Sequence, residues 1–415
     1  MQRLSRRSVL LGTTALAGAA LPLGVGSSRA AGSPRKLVMV LASGGWDPTY
    51  VLDPKPGSAQ IDAPSGTVAE FSGIPVLTDA ARPSVTDFFT RFGERSLVVN
   101  GLQVRSFVHA DCMKRVLTGT ASDQNPDFGA LVADNLGRDL PVPYLVLGSS
   151  AMSGPLASIT GRAGTTNQLS SLLTPREGDP FVAPAEVEPT AGEDSAVQRY
   201  LTAATERERA LRGQFGSTKR ELEAFAKSLE RADLLRRFAL ERGGFGGRDY
   251  TPDLMVQVDV ALSALSGDLC QVAMLELSDW DTHQDNSQQG PQHEALYRGL
   301  IHLVEGLEQA GLADRTSVIV LSEMGRTPKL NAAMGKDHWP VTSCLLFGAG
   351  VRGGRVIGGT DAQQNALNAD LTSGAVDGGG SQIQSGNLAA GVLELVGIDP
   401  AQHFPGITPL HALGS

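Results

Sequence analysis

The chain has 415 residues, 41% apolar and 19% charged, a composition that excludes a disordered or collagen-like protein and indicates a globular one. Its formal charge of −9 argues against binding nucleic acid through phosphates. Past the N-terminus no stretch approaches the ~18 continuous apolar residues of a membrane-spanning helix.

Residues 1–30 read as a processed export segment. Arg3, Arg6 and Arg7 precede a mild apolar run broken by Pro22, and Ser28-Arg-Ala30 offers small residues for cleavage. The run Ser5-Arg6-Arg7-Ser8-Val9-Leu10 has the pattern of a twin-arginine signal, with a Sec signal carrying incidental arginines as the alternative; either places the mature protein in the periplasm or otherwise outside the cytoplasm. Cleavage removes four arginines and no acid, taking the formal charge from −9 to −13.

Residues 31–415 read as one α/β domain, a mostly parallel sheet flanked by helices. Short β-branched apolar runs recur at 36–41, 96–100, 143–147, 271–277, 317–321 and 343–347, each the length of a buried strand. Ala295–Ala310 and Asn387–Val396 carry apolar residues at helical spacing, and Gly397 ends the second. An insertion is predicted at about 150–265. Its first part, residues 150–193, is rich in Ser, Thr, Gly and Pro and reads as irregular. Asp194–Arg242 reads as a charge-laced helical hairpin bent near Gly213–Ser217, a solvated cap without a catalytic role. Cys112, Cys270 and Cys344 make an odd count with no CxxC, which allows one disulfide, but two of them lie in apolar strand-like runs and read as buried thiols.

Ligands of open α/β sheets bind beyond the carboxyl ends of the strands. Polar clusters coincide with those ends here: Asp47 after the first strand, His109 after the second, Asp279-Trp-Asp281-Thr-His283 after the fourth, Glu323 after the fifth and Asp337-His338 ahead of the sixth. Singly, Asp47 also reads as a turn residue, His109 as a structural histidine and the Asp-x-Asp-x-His run as a polar turn. Together they predict a site for a divalent metal. Oxygen and imidazole donors without thiolate suit Zn or Mn, with Ca if oxygens dominate. Arg326 is placed to bind an anionic substrate oxygen or to pair with a nearby acid. Asn286 and Asn331 are candidate substrate positioners, and asparagine also serves as a loop cap.

The segments "GGWDPTYVLDPKP", "HADCMKRVLTG", "DWDTH", "SEMGRTPKLN", "GKDHWP" and "GAGVRGGRVIGGTD" resemble the exported bacterial family called domain of unknown function 1501. That family is grouped with the alkaline phosphatase and sulfatase superfamily, so the resemblance implies that fold and hydrolysis of phosphate or sulfate esters at one or two metals. It puts Asp47 on the first metal-binding acid, Asp279 and His283 on an Asp-x-x-x-His ligand pair, Glu323 on a ligand acid and His338 on the last histidine ligand. His109 falls where the superfamily has its Ser, Thr or Cys nucleophile, and Met324 where it has a histidine ligand. Two groupings follow. Asp279, His283 and His338 make one three-ligand site, and Asp47 with Glu323 makes another that recruits His109 as ligand or, alternatively, as nucleophile. Asp337 is a further ligand or a hydrogen-bond partner of an imidazole. The resulting expectation is an exported metal-dependent hydrolase of small anionic esters, with Arg326 balancing charge. The competing one is an envelope binding or assembly protein on the same fold, since fold alone does not fix function.

Overall fold

The computed structural model describes residues 35–163, 191–242 and 253–414. The predicted export segment and residues 164–190 and 243–252 of the predicted insertion lie outside them. The strands, in chain order, are β1 (Lys36–Ala42), β2 (Thr67–Phe71), β3 (Ile74–Thr78), β4 (Ser96–Gln103), β5 (Tyr144–Val146), β6 (Thr160–Arg162) and β7 (Val272–Leu277). They continue with β8 (Thr316–Leu321), β9 (Gly325–Arg326), β10 (His338–Trp339), β11 (Val341–Gly348), β12 (Arg355–Gly358), β13 (Asn368–Ala369) and β14 (Ser381–Gln382). The described α-helices are α1 (Pro83–Phe92), α2 (His109–Thr118), α3 (Phe128–Gly137), α4 (Ala191–Arg212), α5 (Gly216–Arg242), α6 (Leu254–Ser266), α7 (Gln289–Gln309) and α8 (Ser385–Leu395).

Eight strands form the main sheet in the order β12-β4-β11-β8-β1-β7-β5-β6. All neighbours run parallel except β11, which is antiparallel to β4 and β8. Side chains alternate across a strand, and the sheet separates them by face. Val38 and Val40 join Phe88, Val258 and Leu296 of α1, α6 and α7, whereas Leu37, Met39 and Leu41 join Cys112, Phe128 and Leu388 of α2, α3 and α8. With both faces covered, the strands need apolar residues at every position, hence their continuous apolar runs rather than alternation.

Register sets the site. Leu41 lies opposite both Leu321 of β8 and Glu276 of β7. The loops after β1, β7 and β8 therefore leave the same edge of the sheet. The chain after β4 leaves there too, because β4 and β8 both run antiparallel to β11. For the same reason β11 begins at that edge, so β10, just ahead of it, is also there.

The predicted hairpin is present as α4 and α5, separated at Gly216, whose φ of 71° a residue with a side chain disfavours. The stretch predicted to be irregular instead contributes the edge strand β6, paired with β5. All three cysteines are free and buried. Burial pushes the Cys112 thiol up to about 11 and Cys270 to about 12, so both are unreactive at neutral pH.

Candidate metal centre

Two glycines allow the strand-end loops to meet. Gly44 has a φ of 122°, and a Cβ there would lie 2.7 Å from the Asp281 nitrogen. At Gly335 it would lie 2.0 Å from the His283 carbonyl, so the 331–338 loop can press against the 281–286 loop only with glycine in place.

Three imidazoles and one carboxylate converge at this edge. His109 is the first residue of α2, His283 and Asp281 lie in the loop after β7, and His338 opens β10. Ligand atoms of His109, Asp281 and His338 all fall within 4.8 Å of one another. His283 joins them, with Nε2 at 2.8 Å from His338 Nε2 and 3.2 Å from Asp281 Oδ1. The other carboxylate oxygen of Asp281 is 3.4 Å from His109 Nε2.

The outer nitrogen of each ring is committed to an oxygen that only accepts. His109 Nδ1 donates to Glu323 Oε1 at 2.8 Å, His283 Nδ1 to Asp337 Oδ1 at 3.0 Å and His338 Nδ1 to the Phe107 carbonyl at 2.6 Å. In the neutral rings these contacts put the proton on Nδ1 and leave a lone pair on every Nε2. Two such lone pairs then face each other at 2.8 Å between His283 and His338. His109 Nε2 is buried without a hydrogen-bond partner. A proton between His283 and His338 would relieve that pair alone, whereas a metal ion would also satisfy His109 Nε2. Three imidazole nitrogens and a carboxylate, with carboxylates and a carbonyl behind the rings, make a donor set that fits Zn or Mn, while the excess of nitrogen over oxygen disfavours Ca.

Asp281 is held from behind by Arg326. Burial raises its pKa, but the hydrogen bond and charge of Arg326, with His109 and His283, outweigh that and keep it lowered. His109 is displaced upward, chiefly by its hydrogen bond to Glu323, against the opposing effect of burial. Glu323 is itself buried and takes the Gly44 amide at 2.9 Å.

Several predicted roles change. Asp279 is exposed, has a φ of 72°, and its carboxylate accepts from Ser278 Oγ rather than joining the cluster. The Asp-x-x-x-His spacing converges on a helix, but this segment is an irregular loop that presents Asp281 beside His283 instead. Asp47 is likewise absent from the cluster. It is fully buried, and its carboxylate accepts from Lys336 Nζ at 2.7 Å, Asn286 Nδ2 at 2.9 Å and Thr49 Oγ1 at 2.7 Å. Burial drives the Asp47 pKa up, and the charge of Lys336 with these hydrogen bonds brings it below its ordinary value. Glu323 and Asp337 stand behind histidines, the second of two roles considered for Asp337. His109 joins the cluster of His283 and His338 rather than a separate one with Asp47.

Arg326 is fully buried and donates to the carbonyls of Gly44, Gly45, Trp280 and Lys336 as well as to Asp281. It pairs with an acid, as one reading of the sequence allowed, and binds the loops together instead of facing a substrate. Asn286 and Asn331 are also engaged with protein. Asn286 bonds Asp47 and Thr282, and Asn331 bonds the His283 carbonyl, Asp337 and the amides of Ala333 and Gly335. Met324 is buried in the core. The sequence places Asp281 among the strand-end acids, but the ligand role was expected of Asp279, and Lys336 was not foreseen as the partner of Asp47. The role of Asp281 could have been found from its place two residues before His283, while nothing in the sequence signals the burial of Lys336.

The chain matches the family described as "Protein of unknown function (DUF1501)" over residues 34–408 and belongs to it. No curated protein is similar in sequence. Among solved structures it is similar to the lipoteichoic acid synthase LtaP from Listeria monocytogenes, at 11% identity and a TM-score of 0.41, covering 92% of this chain and 74% of that one. It is also similar to the putative sulfatase yidJ from Bacteroides fragilis, at 10% identity and a TM-score of 0.41, covering 92% and 78%. A protein of the alkaline phosphatase superfamily from Vibrio parahaemolyticus aligns at 10% identity and a TM-score of 0.39, covering 89% and 67%. At that similarity none of them bears on the chemistry of this site. No described helix is long and apolar enough to cross a membrane.

Proposed function

We propose that this member of the DUF1501 family is an exported, metal-dependent hydrolase of small phosphate or sulfate esters. The observation that supports it most is the convergence of three Nε2 lone pairs on the Asp281 carboxylate, with the Nδ1 protons held elsewhere. His109, His283, His338 and Asp281 would hold the ion. A divalent metal there supplies two things, a bound water of lowered pKa and polarisation of the ester oxygen.

The chain's own groups prepare that chemistry. Glu323 and Asp337 fix the tautomers and ring orientations of His109 and His283, and the Phe107 carbonyl does so for His338. Arg326 fixes the Asp281 carboxylate and offsets its charge. Arg326 spends its donors on protein oxygens and so has none left for an anionic ester. All four donor side chains are partly exposed, with Asp281 at 48% and His338 at 20%, so substrate and water have access. Export by the twin-arginine route belongs to the same proposal and is supported by the sequence at Ser5–Leu10.

The test is elemental analysis of the mature protein together with a screen of 4-nitrophenyl phosphate and 4-nitrophenyl sulfate. Bound divalent metal and turnover, both lost in His109→Ala, are the expected result. Absence of metal after supplementation would overturn the proposal, and metal without turnover of any ester would favour a binding role.

A further inference from the structure

The superfamily resemblance implies one or two metals, with Asp47 a ligand. The residues around Asp47 do not fit a second ion. A carboxylate offers about four acceptor sites. Here Oδ1 takes the Thr49 amide at 3.1 Å and its hydroxyl at 2.7 Å, while Oδ2 takes Asn286 Nδ2 at 2.9 Å and Lys336 Nζ at 2.7 Å. The side chains of Asp47 and Lys336 are both 0% exposed. At the place of another expected ligand, Met324 lies in the core with a thioether, a poor donor to a hard ion.

On the reading of the histidine cluster as a metal centre, we infer that the Lys336 ammonium stands where a second metal would be. The centre is built for one ion, and the Lys336–Asp47 pair is a positioning device for that ion's ligands. Lys336 comes one residue before Asp337 and two before His338. Its backbone is pinned on both sides, the amide to the Thr282 carbonyl at 3.1 Å and the carbonyl to Arg326 Nη1 at 3.1 Å. Asn286, which shares Oδ2 of Asp47 with the ammonium, ends the loop that begins at Asp281. The pair therefore ties both ligand-bearing loops to the end of β1. An ammonium gives a fixed charge that needs no loading, whereas a metal at the same point would couple loop geometry to metal supply.

The experiment measures metal content, Zn affinity and the visible absorption of bound Co2+ in the mature native protein and in Asp47→Asn, Lys336→Met and the double variant. One equivalent is expected in the native protein and in Asp47→Asn. Lys336→Met is expected to shift the Co2+ spectrum and weaken Zn binding by about tenfold, the size of a change just behind the ligands. The double variant, which leaves no buried charge unpaired, keeps the protein testable if Lys336→Met fails to fold, and its Co2+ spectrum is again expected to differ from the native one. Two equivalents in the native protein, one of them lost in Asp47→Asn, would overturn the inference and leave the metal centre standing. A Co2+ spectrum and Zn affinity unchanged in both lysine variants would overturn the positioning role. No metal in the native protein would overturn the parent reading and this inference together.

Discussion

Two polar clusters lie side by side at one edge of the sheet and differ in two respects. Around Asp47 every lone pair of the carboxylate meets a donor, and the pair with Lys336 is sealed from solvent. Around Asp281 the lone pairs of the histidines meet one another or nothing, and the group is open to solvent. A buried ion pair is a finished structure, costly to make and more costly to break. A set of converging unsatisfied donors is an incomplete one, and incompleteness is what binds a ligand. The acids of the two clusters look alike in the sequence.

The open side is most sensitive to the loss of a donor. His283→Ala should abolish stoichiometric metal retention, measured by elemental analysis after dialysis, and with it any hydrolysis. The closed side should instead answer to pH through His293, which stacks on Trp46 with centroids 6.1 Å apart and has no partner for either ring nitrogen. Burial, aided by the charge of Arg82, holds its pKa down to about 3 despite the opposing charge of Asp47. Between that value and the ~6.5 of an unfolded histidine, the unfolded chain binds the proton that the folded chain refuses. The His293 contribution is therefore complete above about pH 6.5 and falls by several kcal/mol as pH drops toward 3. Chemical denaturation from pH 7 to 4 should show that loss, and His293→Phe should flatten it. Asp127, pushed up to about 6 by burial, opposes it with a smaller change of the other sign, stabilising the fold as pH falls below 6.

A smaller effect sharpens the distinction between ligand and support. Glu323→Gln keeps the shape but weakens the hold on the His109 proton, and should cost about 10- to 100-fold in metal affinity with the stoichiometry intact. Loss of the ion altogether would make Glu323 a ligand. The smallest change is expected at Asp279. Its replacement by Asn should alter neither metal content nor stability by more than about 0.5 kcal/mol, as for an ordinary surface site.

Most of the fold was legible because burial on both faces demands continuous apolar strands, and β1, β7, β8 and β11 were all readable from that. The helix at 295–310 was legible from its spacing but begins earlier, at Gln289, where polar residues hide the start. The edge strand β6, Thr-Gly-Arg, was not legible, since three half-buried residues carry no pattern. Within the site, His109, His283 and His338 could be singled out because histidine is scarce and all three fall at strand ends. Their common destination follows from register, as the parallel strands end level and the antiparallel β11 begins where they stop.

The sequence by itself determined which chemistry is on offer: imidazoles and carboxylates without thiolates, set at the ends of buried strands, in a chain of the DUF1501 family. Only the tertiary structure decided which acid serves which purpose. Asp279 and Asp281 are two residues apart, yet a left-handed backbone at the first sends it to solvent while Arg326 draws the second into the cluster. Asp47 and Lys336 are far apart in the chain and become a sealed pair only when two loops close over them. Spacing along a chain governs neighbours within an element, whereas the satisfaction of a lone pair depends on whatever the fold brings within about 3 Å of it.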